Sequence, residues 1–328
     1  MTRKLRHHLH WWRLRTEWYR KKIKLSLPPY FINIEPTGFC NLHCKVCSYR
    51  QDRGKGYIEP KIAFRAMDQA AKFGVSEIRF FLAGEPLFHP RLGELIRAAK
   101  DRGLLTNIHT NATILDEKRA RILLDSGLDT LSLSFDGESA EEYESVRIGA
   151  DYKKTLENVL NFLKLKKERS SKKPHVTLQV IKLYDKTKPK SLQLSPEFKA
   201  QFAGLSLDRF FVIFPFSWPG IDLTEEARPT GNRYFPCFVL WQSLSIAWDG
   251  RILGCCGDLN GMVTLGDIRT DQLQDVWNGP AITNMRRLHV ERKIHRIPLC
   301  ADCDAVKVRV HPAFRDLKDL LLGRFTSY

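Results

Sequence analysis

At 328 residues, 43% of them hydrophobic, the chain has length for about two domains and a sizeable core. Lys and Arg outnumber Asp and Glu by 53 to 37, a formal charge of +16 that fits nucleic acid, an anionic membrane surface or an acidic substrate. No run of about 18 uncharged apolar residues occurs, which excludes a transmembrane helix. The N-terminus also lacks the h-region and cleavage site of a secretory signal. The expected location is therefore the cytoplasm, where eight cysteines serve better as metal ligands than as disulfides.

Residues 1–29 form a basic, aromatic arm. Leu5, Leu9, Trp12, Tyr19 and Ile23 recur at helical spacing and predict one apolar face, with Arg13, Arg15, Arg20, Lys21, Lys22 and Lys24 around it. Pro28 and Pro29 end the helix. Three roles fit such an arm: packing across the main domain, peripheral contact with the inner membrane face through Trp11, Trp12 and Trp18, or nucleic-acid binding. No RNA or DNA module accompanies it, which makes nucleic acid unlikely as a partner.

From residue 30 to 215 the pattern alternates. Strand-like apolar runs at 31–34, 78–83, 104–109, 130–135, 176–183 and 210–214 are separated by helical periodicities at 62–73, 92–100, 116–125, 152–167 and 192–202. Six strands alternating with helices predict parallel βα units. Directly after the first strand stand Cys40, Cys44 and Cys47, at the spacing C-x3-C-x2-C. A [4Fe–4S] cluster normally takes four thiolates. Three in one tight loop leave an iron open for chemistry. A zinc loop short of its fourth ligand is the structural alternative.

This loop, preceded by Glu35-Pro36-Thr37-Gly38 and followed by further matches, resembles the radical S-adenosylmethionine (radical SAM) enzymes. The resemblance implies that Cys40, Cys44 and Cys47 hold a [4Fe–4S] cluster whose fourth iron is chelated by SAM. Reduction then splits SAM into methionine and a 5′-deoxyadenosyl radical, which takes a hydrogen atom from the substrate. It also implies a fold, an α/β partial (β/α)6 TIM-like barrel with its chemistry at the C-terminal ends of the strands. One departure is Val46, where the family usually carries an aromatic residue.

Ala83-Gly84-Glu85-Pro86 is similar to the family's Gly-Gly-Glu-Pro, so Gly84 and Glu85 are expected at the SAM amino group, Glu85 either there or holding the loop. Asn111 lies in a Thr-Asn-Gly-like segment in which Ala112 replaces the glycine. Ser134 and Asp136, in Leu131–Gly137, match a strand that lines the SAM pocket and are expected at the methionine carboxylate and near the ribose. Arg147 matches an arginine near the SAM carboxylate, although a lone arginine at a helix end also reads as a solvated charge. The general base is not legible.

The turn-rich stretch 216–230 reads as a linker or a substrate-facing loop. In 231–310 a second set of cysteines follows: Cys237, Cys255 and Cys256 around an Asp249-Gly250 hairpin turn, then Cys300 and Cys303 as a C-x2-C pair. Four thiolates from separate segments can fully ligate one cluster or a zinc ion. With Trp248, Leu265–Ile268 and Val276–Asn278, this region resembles the SPASM or twitch extension of radical SAM enzymes. Its Gly-x4-Cys spacing selects Cys255 over Cys256, so the implied auxiliary [4Fe–4S] ligands are Cys237, Cys255, Cys300 and Cys303. Residues 311–328 read as a helical tail, with Leu317, Leu320 and Leu321 on one face.

A fully ligated second cluster suits electron transfer. The expected reaction is therefore oxidation of a small alcohol or cyclitol-like molecule, fed by an electron donor such as flavodoxin or ferredoxin. Modification of a ribosomally made peptide is the alternative, and the 29-residue arm is too short for the leader-binding domain such enzymes commonly carry. A non-catalytic, metal-containing nucleic-acid binder is the reading from another class.

Overall fold

The computed structural model describes residues 3–49, 54–183, 192–215, 217, 221 and 233–308. The stretch expected to be a linker at 216–230, but for Ser217 and Ile221, and the tail at 311–328 lie outside them. The elements run α1 (Arg3–Tyr19), β1 (Phe31–Ile34), α2 (Pro60–Phe73), β2 (Glu77–Phe80), α3 (Leu92–Asp101), β3 (Leu105–Thr110), α4 (Glu117–Asp125), β4 (Thr130–Ser134), α5 (Ala140–Val146), α6 (Tyr152–Glu168), β5 (His175–Ile181), α7 (Pro196–Ala200) and β6 (Arg209–Ile213). There follow β7 (Arg233–Tyr234), α8 (Val239–Gln242), β8 (Ser243–Ile246), β9 (Arg251–Leu253), β10 (Thr264–Asp267), α9 (Leu273–Trp277), α10 (Pro280–Val290) and β11 (Lys307–Val308).

Strands β1 to β6 are parallel and consecutive, the partial barrel expected. The sheet does not close. Alternate residues of each strand pack beneath the helices: Ile32, Ile34, Ile78, Phe80, Ile108, Leu131, Leu133, Leu178 and Val180 share one core with the inner faces of α2, α3 and α6. The other set faces the concave side and is mostly polar across β2 to β5, with Glu77, Arg79, Asn107, His109, Ser132, Thr177 and Gln179. Pairing aligns His109, Ser132, Thr177 and Arg209 in one row across β3 to β6. Local signals fix the helix ends: Asp116, Ser139, Asp151 and Ser195 cap α4, α5, α6 and α7, and Gly74 ends α2 at φ +91°.

The second region continues the same sheet. β8 lies parallel beside β1, with Phe31 opposite Ser243, and β9 and β10 extend it antiparallel, giving nine strands. The Asp249-Gly250 turn joins β8 to β9 with Gly250 at φ +93°.

The arm packs on this body, the first of its three expected roles, but on a different face. Leu9 is exposed, while Leu14, Arg15 and Trp18 are buried. His7 lies on the Tyr30 ring and His10 contacts Ser76 and the Pro28 carbonyl, so α1 crosses the N-terminal ends of β1 and β2. A periodicity scored on apolar side chains misses this face because the half-buried His7 is held neutral, its pKa brought down to about 4 by desolvation. Arg15, for its part, stacks among the Trp11, Trp18, Tyr19 and Phe238 rings. Trp241 and Trp277 donate their indole N–H groups to the Lys22 and Leu27 carbonyls, tying the arm to the second region. No helix among the described residues is long and apolar enough to cross a membrane.

Candidate active site

The cysteine loop leaves the C-terminal end of β1 and is built against the loop after β2. Glu85 N–H donates to the Phe39 carbonyl at 2.8 Å. A Cβ at Gly84 would stand 1.9 Å from the Thr37 carbonyl oxygen, so only glycine permits this approach. Gly84 therefore serves the packing of two loops. Glu85 is fully buried, and both its oxygens are occupied. One accepts from Thr110 Oγ1 at 2.6 Å and Leu87 N–H at 3.1 Å, the other from Asn111 N–H at 2.7 Å. Burial raises its pKa against the pull of these donors. Of its two expected roles, holding the loop is the one these bonds perform.

Asn111 reaches the cysteine loop through Asn41, its amide 3.2 Å from Asn41 Oδ1. Ala112, where the family has glycine, adopts φ +59°. Asp136 accepts from Arg147 Nη2 at 2.6 Å and from Ile181 N–H at 2.8 Å, binding the end of β4 to the end of β5. Arg147 is buried, its Nη1 lies 3.9 Å from Cys44 Sγ, and its Nε has no partner among the described residues. It is thus a charge inside the site and not a solvated one. Ser134 stands at the concave side of the C-terminal end of β4, opposite Gln179. Of the residues expected at SAM, Gly84, Glu85, Asn111 and Arg147 contact the cysteine loop, and Asp136 holds Arg147 there.

The three thiols feel one another electrostatically. Burial pushes Cys40 up to about 12 and Cys44 to about 11, the latter despite the Arg147 charge. Buried thiols become thiolates when a cation compensates them, which a metal cluster provides. Three thiols and the orphaned Arg147 Nε fit a cluster with a ligand that carries a carboxylate.

The second set of cysteines lines a cavity of about 60 Å³ together with Val239, Leu240, His289, Leu299 and Val306. Cys237, Cys300 and Cys303 each feel the charge of Cys255. Cys256 lines the same cavity and also packs against Leu82, Ala247 and Leu253. Among the described residues no three His, Cys, Asp or Glu side chains converge on a single-ion point. The thiols line one cavity, and four thiolates can ligate one cluster.

Three residues given no role in the sequence matter here. Glu35, buried at the end of β1, accepts from Ala83 N–H at 3.3 Å and Trp248 N–H at 3.0 Å, joining both loops to the hairpin turn of the second region. The Trp248 ring lies against Gly38 and Gly56, where a Cβ would come within 2.8 and 2.2 Å of it. Asn260 donates to the Ser48 carbonyl at 2.8 Å. A carboxylate ending an apolar strand was the visible signal for Glu35, and Trp248 stood in the run that resembles the SPASM extension; Asn260 had none.

Comparison with known proteins agrees with this arrangement. The radical SAM superfamily model matches residues 34–181 and the SPASM iron–sulfur cluster-binding domain matches 237–304. A tungsten-containing aldehyde ferredoxin oxidoreductase cofactor-modifying protein of Pyrococcus furiosus is 23% identical over 320 residues, 83% of this chain and 86% of that protein. A PqqA peptide cyclase of Granulibacter bethesdensis is 37% identical over 121 residues, 36% of this chain and 32% of that one, so the chain spans only a third of it. Among solved structures, Streptococcus suis SuiB bound to precursor peptide SuiA aligns with TM-score 0.64 and 18% identity, covering 90% of this chain and 73% of SuiB. BtrN in complex with AdoMet and 2-DOIA aligns at 0.56 and 19%, covering 87% and 97%. The chain belongs to the radical SAM superfamily and is an enzyme of its SPASM-bearing branch, with SAM and iron–sulfur clusters as cofactors.

Proposed function

We propose that this enzyme modifies a peptide, with Cys40, Cys44 and Cys47 holding the SAM-binding cluster and Cys237, Cys255, Cys300 and Cys303 an auxiliary one. When bound, these groups supply reductive SAM cleavage and hydrogen-atom abstraction from the substrate, with an external electron donor. The carrying observation is the match to peptide-modifying proteins: PqqA peptide cyclases are 37% identical over 121 residues and 34% over 114. The SuiB structure that aligns with this chain is bound to a precursor peptide. Among the described residues β6 pairs only with β5, and the sheet edge is where an extended peptide can be received. Arg147 and Asp136 hold the β4 and β5 ends rigid beside Cys44, while Glu85 fixes the loop beside Cys40.

The small-alcohol oxidation expected from the sequence has the likeness to BtrN behind it, which is a likeness of fold. Deuterium transfer separates the two readings. The reconstituted enzyme is given SAM, a strong reductant and either side-chain-deuterated peptide pools or deuterated cyclitols. Deuterium in 5′-deoxyadenosine from peptides alone supports the proposal, and transfer from cyclitols alone overturns it.

A further inference from the structure

The wall of the second cysteine cavity contains one polar side chain that no thiol chemistry explains. His289, in the last turn of α10, is 1% exposed. The Cys237 backbone N–H donates to its Nδ1 at 3.3 Å. A ring that accepts at Nδ1 carries its proton on Nε2. That Nε2 is buried with no partner among the described residues, on a ring that lines the cavity of Cys237, Cys255, Cys300 and Cys303. The Tyr234 hydroxyl, donating to the His289 carbonyl at 2.6 Å, anchors the backbone behind the ring. An orphaned buried donor costs about 1–3 kcal/mol, and the other groups on that wall are apolar or sulfur.

We infer that His289 is a positioning and tuning residue for the auxiliary cluster: its Nε2–H donates a hydrogen bond to a cluster or thiolate sulfur and so raises the reduction potential. Hydrogen bonds to sulfur are among the levers that set such potentials. The inference rests on the auxiliary ligand set proposed above, and the test keeps the two apart.

The full-length chain with Cys40, Cys44 and Cys47 all changed to Ala keeps only the second cluster. About four irons per chain are expected in it; their absence would sink the ligand set itself. With that iron present, His289→Leu should lower the midpoint potential, making reduction at least tenfold less favourable, about 59 mV for one electron. His289→Gln, which retains an N–H donor, should recover part of the shift. An unchanged potential in His289→Leu, or loss of its iron, overturns the inference, the latter by making His289 a ligand. Should His289→Leu not fold, pulsed resonance on 15N-histidine-labelled protein decides. A weak nitrogen coupling with an exchangeable proton is expected, and either a directly ligated nitrogen or no coupling contradicts it.

Discussion

Glu85 has two oxygens and three donors, and this arithmetic decides what its replacement does. In Glu85→Gln one oxygen becomes an NH2 group, and either choice sets a donor against a donor, Asn111 N–H or the Thr110–Leu87 pair. A buried unmatched donor costs about 1–3 kcal/mol. The variant is expected to unfold at lower denaturant concentration and to make 5′-deoxyadenosine at least tenfold more slowly. A rate equal to wild type would remove Glu85 from the positioning of the site. Residue types at this scale were legible before the structure. Gly84, Glu85, Asn111, Ser134, Asp136 and Arg147 were all singled out by motif, and Gly84, Glu85, Asn111 and Arg147 contact the cysteine loop. Their partners were not legible, because a motif records which side chain stands at a position and not which backbone group folds back onto it. Gly84, expected to make room for a ligand, makes room for the Thr37 carbonyl.

At the scale of elements, the strand and helix alternation of 30–215 was readable because apolar period and cap residues agree. The face of α1 was not, since it half-buries a neutral histidine and buries an arginine, both of which hydropathy counts as solvent-facing. That burial has a pH signature. His7 titrates near 4 when folded, mainly through desolvation, against an ordinary 6.5. Its folded pKa is depressed, so the unfolded chain binds the proton more readily. Stability is full above pH 6.5 and falls as pH drops through 4. Wild type should therefore lose more Tm between pH 7.5 and 5 than His7→Phe, which keeps the stacking on Tyr30 without the titration. Equal losses in the two proteins, read by thermal unfolding, would refute the buried neutral state.

At the scale of the whole molecule, two cysteine sites are built on one sheet. The sequence divided them into separate regions at residue 231, because a four-residue run, Ser243–Ile246, carries no sign that it will pair with β1. In the fold it does pair, and Glu35, Trp248 and Asn260 then fasten the second region to the cysteine loop. The arm closes the opposite end and is held by indole N–H groups of the second region. Inside the site Arg147 is matched by Asp136, and the formal charge of +16 over the whole chain suits an anionic partner or substrate.

The central claim is that the two cysteine sites each hold a cluster and that only the first cleaves SAM. The most direct measurement is iron and sulfide content after anaerobic reconstitution, with 5′-deoxyadenosine formation under a strong reductant, in wild type and in the Cys40/Cys44/Cys47→Ala variant. About eight irons falling to about four, with 5′-deoxyadenosine made by wild type alone, is the predicted result. Zinc at the second site, or SAM cleavage surviving the triple substitution, would contradict it.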